Sequence, residues 1–211
     1  MEKVFGQFKK GFTLAEVLIT LVIIGVIAAM TIPTVINNYR KQEYVSKLKK
    51  VYSTLAQATH TIIAEEGSPK ADVGGWGTWS NIPYLYKKHM SAKDCPRSNC
   101  VTQYSSTGPK TLSGQPTSAW HADGIVLADG TQFVYGNVSS TCTYQGSKCF
   151  EIFVDINGGK KPNQYGRDVF VFAVYEDGLM ISTSNDCDKN CTNCTGWSCS
   201  AKVLRENAMN Y

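Results

Sequence analysis

A chain of 211 residues is long enough for one ordinary core plus one long helix, and too short for two sizeable cores. Its net charge of +4, with 18% of residues charged and no Lys/Arg-dense stretch interleaved with aromatics, gives no sign of a nucleic-acid groove. The 43% apolar content argues against a disordered chain and predicts an ordered head.

The stretch of residues 1–11 is short and carries Lys9 and Lys10. Behind it, residues 12–33 read FTLAEVLITLVIIGVIAAMTIP, with Glu16 as their single charge. At a helical rise of about 1.5 Å per residue this run extends roughly 33 Å, the thickness of a bilayer's hydrocarbon. The basic flank stays cytoplasmic, which places everything after Pro33 on the far side of the membrane. A secretory signal peptide shares the basic start. Its apolar core is shorter, however, and no convincing small-x-small cleavage site follows here, with Ala28-Ala29-Met30 a poor candidate.

Beyond Pro33, residues 34–66 turn amphipathic. Val45, Leu48, Val51, Tyr52, Leu55, Ala58 and Ile62 recur at helical spacing, with Lys47, Lys49 and Lys50 between them. One helix of about 50 residues is expected, bent or loosened at Pro33 with help from Gly25 and stopped at Gly67-Ser68-Pro69. A helix of that length outruns a compact domain of this size, so its first half needs lipid or other subunits to cover it.

The globular head is expected over residues 67–211. Residues 67–120 read as a long irregular connector with one short helix near Tyr84 to Met90. Strand-like runs follow at Gly124 to Ala128, Thr131 to Gly136, Phe150 to Ile156, Val169 to Tyr175 and Leu179 to Ser182. Asp129-Gly130 and Asp177-Gly178 supply hairpin turns, which makes the sheet antiparallel and the head α+β, with an amphipathic helix over the sheet's apolar face.

The cysteines, Cys95, Cys100, Cys142, Cys149, Cys187, Cys191, Cys194 and Cys199, are eight in number and all lie in the C-terminal portion. An even set in turn-rich sequence implies disulfides and an oxidising compartment, in agreement with the orientation set by the lysines. Short loops favour Cys95 with Cys100 and Cys142 with Cys149, leaving the last four to pair among themselves, in a stapled surface loop from Thr183 to Ser200. The last four also invite a zinc reading. Only Cys191 and Cys194 form a C-x-x-C, and the compartment is oxidising, so the spacing opposes it.

Lys10-Gly11-Phe12-Thr13-Leu14-Ala15-Glu16 closely resembles the processing site of type IV prepilins and the related type II secretion pseudopilins. The match combines a Lys-bearing leader, Gly before the cut, Phe after it, Glu four residues further on, and an apolar helix ending at Pro. It covers residues 8 to about 60; the head is similar in general layout only. The resemblance implies that a membrane aspartyl peptidase cuts between Gly11 and Phe12 and methylates the new Phe12 amine. It implies further that the N-terminal helices pack in the core of a filament, and that a disulfide closes a C-terminal loop.

The physics of these residues agrees. Gly11 lets the backbone enter a tight protease cleft. A lone carboxylate such as Glu16 in an apolar helix costs about 2.5 to 3.5 kcal/mol on insertion scales, so it needs a partner. The amine of Phe12 on a neighbouring subunit is the cation in position. Pairing the two in a water-poor core fixes the register between helices, and removing either strands a buried charge.

Weaker candidates remain. Asp155-Ile156-Asn157-Gly158, with Asp168, gathers oxygen atoms suited to calcium but lacks the EF-hand pattern, since Gly159 and Gly166 stand where that loop needs ligands. Turn-building is the commoner role of such residues, and similar D-x-N-G loops occur in pilin-like heads. Trp76 and Trp79 suit a glycan platform, or more commonly packing. His60, His89 and His121 show no metal or triad spacing, and Gly108 with Gly114 makes no phosphate loop.

The sequence therefore predicts a non-enzymatic, cofactor-free, pilin-like structural subunit in the cytoplasmic membrane with an extracytoplasmic head, later part of a surface or periplasmic filament. Its expected partners are copies of itself or related pilins, prepilin peptidase, a membrane assembly platform, and membrane lipid before assembly. A pseudopilin of a type II secretion or DNA-uptake system is the nearest alternative. A membrane-tethered module that binds glycan or metal is the alternative of another class, and it has no use for Glu16.

Overall fold

The structure is a computed structural model, and it describes residues 11–69, 81–96, 104, 106–118, 123–139, 142, 146–180, 187 and 194–211. The chain divides into two compact units, Met1–Arg40 and Lys41–Tyr211.

Helix α1, Leu14–Glu66, runs for 53 residues and includes Pro33. It begins where the Thr13 side chain caps it. It ends at Gly67, whose φ of +84° is costly for any residue with a Cβ and whose N–H donates to the Ile63 carbonyl at 3.0 Å. In the first unit none of the described residues is buried. In the second, α1 buries Val45, Leu48, Val51, Leu55, Ala58, Thr59 and Ile62, the stripe its apolar spacing predicts.

Helix α2, Asn81–Met90, buries Ile82, Leu85, Tyr86 and Met90, and starts three residues earlier than expected. Strands β1 Lys93–Cys95, β2 Gly124–Val126, β3 Gln132–Gly136, β4 Phe150–Asp155, β5 Val169–Tyr175 and β6 Gly178–Met180 follow, and helix α3, Cys199–Glu206, closes the order. The six strands form one sheet in sequence order, β1-β2-β3-β4-β5-β6, with every neighbouring pair antiparallel. Short connections suffice for such a meander, and the turns at Asp129-Gly130 and Glu176-Asp177 provide two of them.

Alternation along the central strands assigns side chains to two cores. Phe133, Tyr135, Phe150, Ile152, Val154, Phe170, Phe172 and Val174 share one cluster with the buried stripes of α1 and α2. Val134, Phe153, Val169 and Val171 point the other way and pack with Cys95, Tyr104, Tyr165 and partly buried Trp197. The expectation of one covered face is thus extended. The second face is buried too, under Tyr104, the Tyr165 turn and the residues that lead into α3. Rings mark the packing: Tyr52 stacks on Phe172 at 6.0 Å and Tyr86 on Tyr135 at 5.2 Å, while Trp197 meets Phe153 edge-on at 5.6 Å.

Two differences from the sequence reading concern short elements. β1 lies inside the stretch read as irregular, because three residues at a sheet edge leave no alternation to read. The stapled tail ends in α3, where Ser200 Oγ donates to the Val171 carbonyl at 2.8 Å and so ties the helix to β5.

Candidate processing and assembly site

Gly11, Phe12 and Thr13 precede α1 as irregular backbone, and an added side chain at Gly11 would meet nothing within 4 Å. Phe12 is 91% exposed. Thr13 and Glu16 form a reciprocal cap. The Thr13 N–H and the Thr13 hydroxyl each donate to Glu16 Oε2 at 2.8 Å, and the Glu16 N–H donates to Thr13 Oγ1 at 3.3 Å. This is the S/T-x-x-E capping box, in which an acid at the third helical position also meets the positive end of the helix dipole. Sequence reasoning treated Glu16 as an acid lacking a mate. The Thr at position i−3 was the signal that its carboxylate already has donors within its own chain.

From Phe12 to Tyr39 the apolar side chains stand exposed, among them Leu14, Leu18, Ile24, Ile27, Met30 and Val35. Among the described residues α1 is the one helix long and apolar enough to cross a membrane. Gly25 has open space around it, with nothing within 4 Å of an added Cβ.

The calcium candidates come together at the β4–β5 connection. Asp155 and Asp168 are both fully buried. Asp155 Oδ1 accepts from the N–H groups of Asn157 and Gly158 at 3.0 Å each, and Oδ2 from the Gly159 N–H and the Tyr104 hydroxyl at 2.8 Å each. Asp168 Oδ2 accepts from the Asn163 N–H at 2.8 Å and from Asn157 Nδ2 at 2.9 Å, and its Oδ1 from the Gln164 N–H at 2.7 Å. Positive φ at Gly158 and Gly159 turns successive amides inward, the concave arrangement that cradles an anion. Asn157 Nδ2 also reaches Tyr44 of α1 at 3.2 Å. Burial pushes the Asp168 carboxyl up to about 6, against the pull of these amides, and raises Asp155 in the same direction. The arrangement clamps a loop. Among the described residues no group of three or more His, Cys, Asp and Glu is placed to hold a metal ion.

Cys142 is joined to Cys149 and Cys187 to Cys199, the first as short spacing predicts and the second within the last four. Cys95 and Cys194 are disulfide-bonded as well. Cysteines held as disulfides have no thiolate to offer, so the zinc reading of the tail does not fit these residues. Cys100 and Cys191 lie outside the described residues, as do Trp76, Trp79 and His121. His60 is exposed, and His89 Nε2 lies 3.4 Å from Glu65. Among the described residues no catalytic constellation forms around either.

Residues 7–32 match the prokaryotic N-terminal methylation motif, the signature of prepilins and pseudopilins. Residues 34–211 match a family of unknown function (DUF6613), and the chain belongs to that family. The two matches leave only Pro33 between them. No curated protein and no solved structure matched the chain.

Proposed function

We propose that this chain is a structural subunit of an extracytoplasmic, type IV pilus-like filament. In this reading prepilin peptidase removes residues 1–11 by cutting between Gly11 and Phe12, and Phe12 becomes the methylated amino terminus. Residues 12–33 hold the subunit in the cytoplasmic membrane and later lie in the filament core. Residues 34–66 carry the helix into the head, and residues 67–211 complete that head. Gly25 and Pro33 are the points at which the helix adapts.

The observation that carries the reading is the coincidence of the methylation motif with a run of apolar side chains that the chain itself leaves uncovered. Lipid and neighbouring copies are the two environments that cover such a run, one before assembly and one after it. In the Thr13 cap Glu16 Oε2 accepts both bonds, and Oε1 is the oxygen we assign to the neighbour's Phe12 amine. Such a pair aligns adjacent helices in one axial register.

Mass spectrometry of the mature amino terminus tests this directly. N-methyl-Phe12 is expected; an intact Met1 or a cut near Met30 would overturn it. A pseudopilin that forms a short periplasmic fibre shares all of these features. Antibody labelling of intact cells separates the two, since we expect the assembled fibre to be reached from outside.

A further inference from the structure

The head has two ends, and they differ in charge. At one end the β4–β5 connection, residues 156–168, meets the start of α1 within the second unit. Asn157 bonds to Tyr44, the Lys41 ammonium donates to the Met209 carbonyl at 3.3 Å, and the Tyr211 hydroxyl donates to the Gly166 carbonyl. Four basic side chains crowd this end: Lys110, Lys160, Lys161 and Arg167, all exposed. Backbone bonds draw them together. The Lys110 N–H donates to the Asn163 carbonyl at 2.9 Å, the Tyr165 N–H to the Lys110 carbonyl at 2.8 Å, and the Arg167 N–H to the Gln164 carbonyl at 3.1 Å.

None of the four makes an ion pair among the described residues. Elsewhere on the head Lys47, Lys50, Lys87, Lys88 and Lys148 each find a carboxylate. The acids of this loop, Asp155 and Asp168, are turned inward and spent on the amide cradle. Glu206 is the nearby acid outside the loop; like Arg167, it acts on the Tyr211 hydroxyl. The loop is thus tied down by buried carboxyl groups and presents basic side chains to solvent.

Only eight peptide steps separate Pro33 from Lys41, so the end of the head to which Lys41 belongs is the one the chain enters from the apolar run. We infer that the Lys110, Lys160, Lys161 and Arg167 surface is a docking site for anionic phospholipid headgroups, on which the head rests while the subunit waits in the membrane. The inference rests on the reading that residues 12–33 span a bilayer. Each cation at an anionic surface contributes roughly a fivefold preference, and the attraction decays within a Debye length of about 8 Å at physiological salt.

The test uses the full chain reconstituted into vesicles, with lysine acetylation rates read by mass spectrometry. In vesicles of phosphatidylcholine with about one third phosphatidylglycerol, Lys110, Lys160 and Lys161 should react at least threefold more slowly than in phosphatidylcholine alone. Salt at 0.5 M should remove the difference. Lys88, at the other end of the head, should not change. Charge reversal by Lys160→Glu with Lys161→Glu should also release Lys110. Equal rates in both vesicles overturn the docking site while leaving the membrane span standing. Protection that appears in phosphatidylcholine and grows with protein density assigns the surface to a second copy and overturns it too. A chain that washes off both vesicles removes the membrane reading itself, and the inference with it.

Discussion

Up to Arg40 the described chain buries no residue, although it is rich in Leu, Ile and Val; from Lys41 onward a chain of mixed composition buries both faces of its sheet. Hydrophobicity alone therefore does not decide burial. The head has a partner within itself for each apolar stripe, whereas among its described residues the first unit has one helical segment and nothing to set against it. The polar groups invert the contrast. The head sequesters Asp155 and Asp168 behind seven donors, while the described part of the first unit has one acid, Glu16, with donors from Thr13. A region that depends on other molecules should respond to mutation through assembly, and a self-sufficient region through stability.

The largest expected effect breaks the first region alone. Glu16→Ala should reduce filament recovery from cells more than tenfold while cleavage after Gly11 continues and the head melts as before. Glu16→Gln separates two contributions, because an amide still completes the cap but carries no charge. Equal loss in both variants assigns the effect to the charge, and normal yield in either removes the proposed pairing. The mirror experiment is Phe172→Ala. This ring is fully buried against Tyr52, and its truncation should cost the head about 3 to 5 kcal/mol by urea unfolding. Processing at Gly11 should be unaffected; impaired processing would show the two regions to be coupled.

How far the sequence revealed this division depends on which physical signal each part carries. The stripe from Val45 to Ile62 was legible because a 3.6-residue period persists over five turns, and β5 was read to the residue because seven apolar and aromatic residues stand between turn signals. β1 was not legible, since Lys93-Asp94-Cys95 owes its strand to pairing with β2 rather than to its own preference. The second core was hidden for a related reason. Its cover comes from Tyr104, Tyr165 and Trp197, single aromatics in irregular sequence whose partners are set by tertiary contacts. At the processing site Gly11, Phe12 and Glu16 were readable as a motif. The role of Thr13 is less conspicuous, because a charge inside an apolar run stands out more than the Thr-x-x-Glu spacing that caps it.

A smaller effect sharpens the comparison from the side of the head. Burial lifts the Asp168 carboxyl from 3.8 to about 6, so the folded head holds this proton more tightly than the unfolded chain does. The stabilisation is fully present below pH 3.8 and is lost as pH rises through about 6, a change of about 3 kcal/mol from this group. Asp155 is shifted the same way and steepens the trend. Urea unfolding at pH 4.5 and 7.5 should therefore show the more stable head at the lower pH. In Asp168→Asn the dependence should flatten, and the variant should also be weaker at acid pH, because an amide nitrogen would face the Asn163 and Gln164 donors. A head that gains stability towards pH 7.5 would mean that other groups govern its titration.

The smallest effect probes the one place where the first region satisfies itself. Thr13→Val keeps the side chain's shape but removes the hydroxyl, and with it the 2.8 Å bond to Glu16 Oε2 and the 3.3 Å bond from the Glu16 N–H. The backbone N–H of Thr13 still reaches the same carboxylate oxygen. Loss of half a capping box costs about 1 kcal/mol, so amide exchange at Glu16 should quicken roughly fivefold in detergent micelles, with exchange in the head unchanged. Because the cap is local, the acceleration should fade within one turn. If it spread along α1 towards Tyr39, the apolar run would owe its helix to this end; if it were absent, solvent or detergent would already replace the hydroxyl. Between those outcomes the predicted local change says that Glu16 has a donor of its own before any neighbour arrives, which lets an acid sit at the head of an apolar helix while the subunit is still alone.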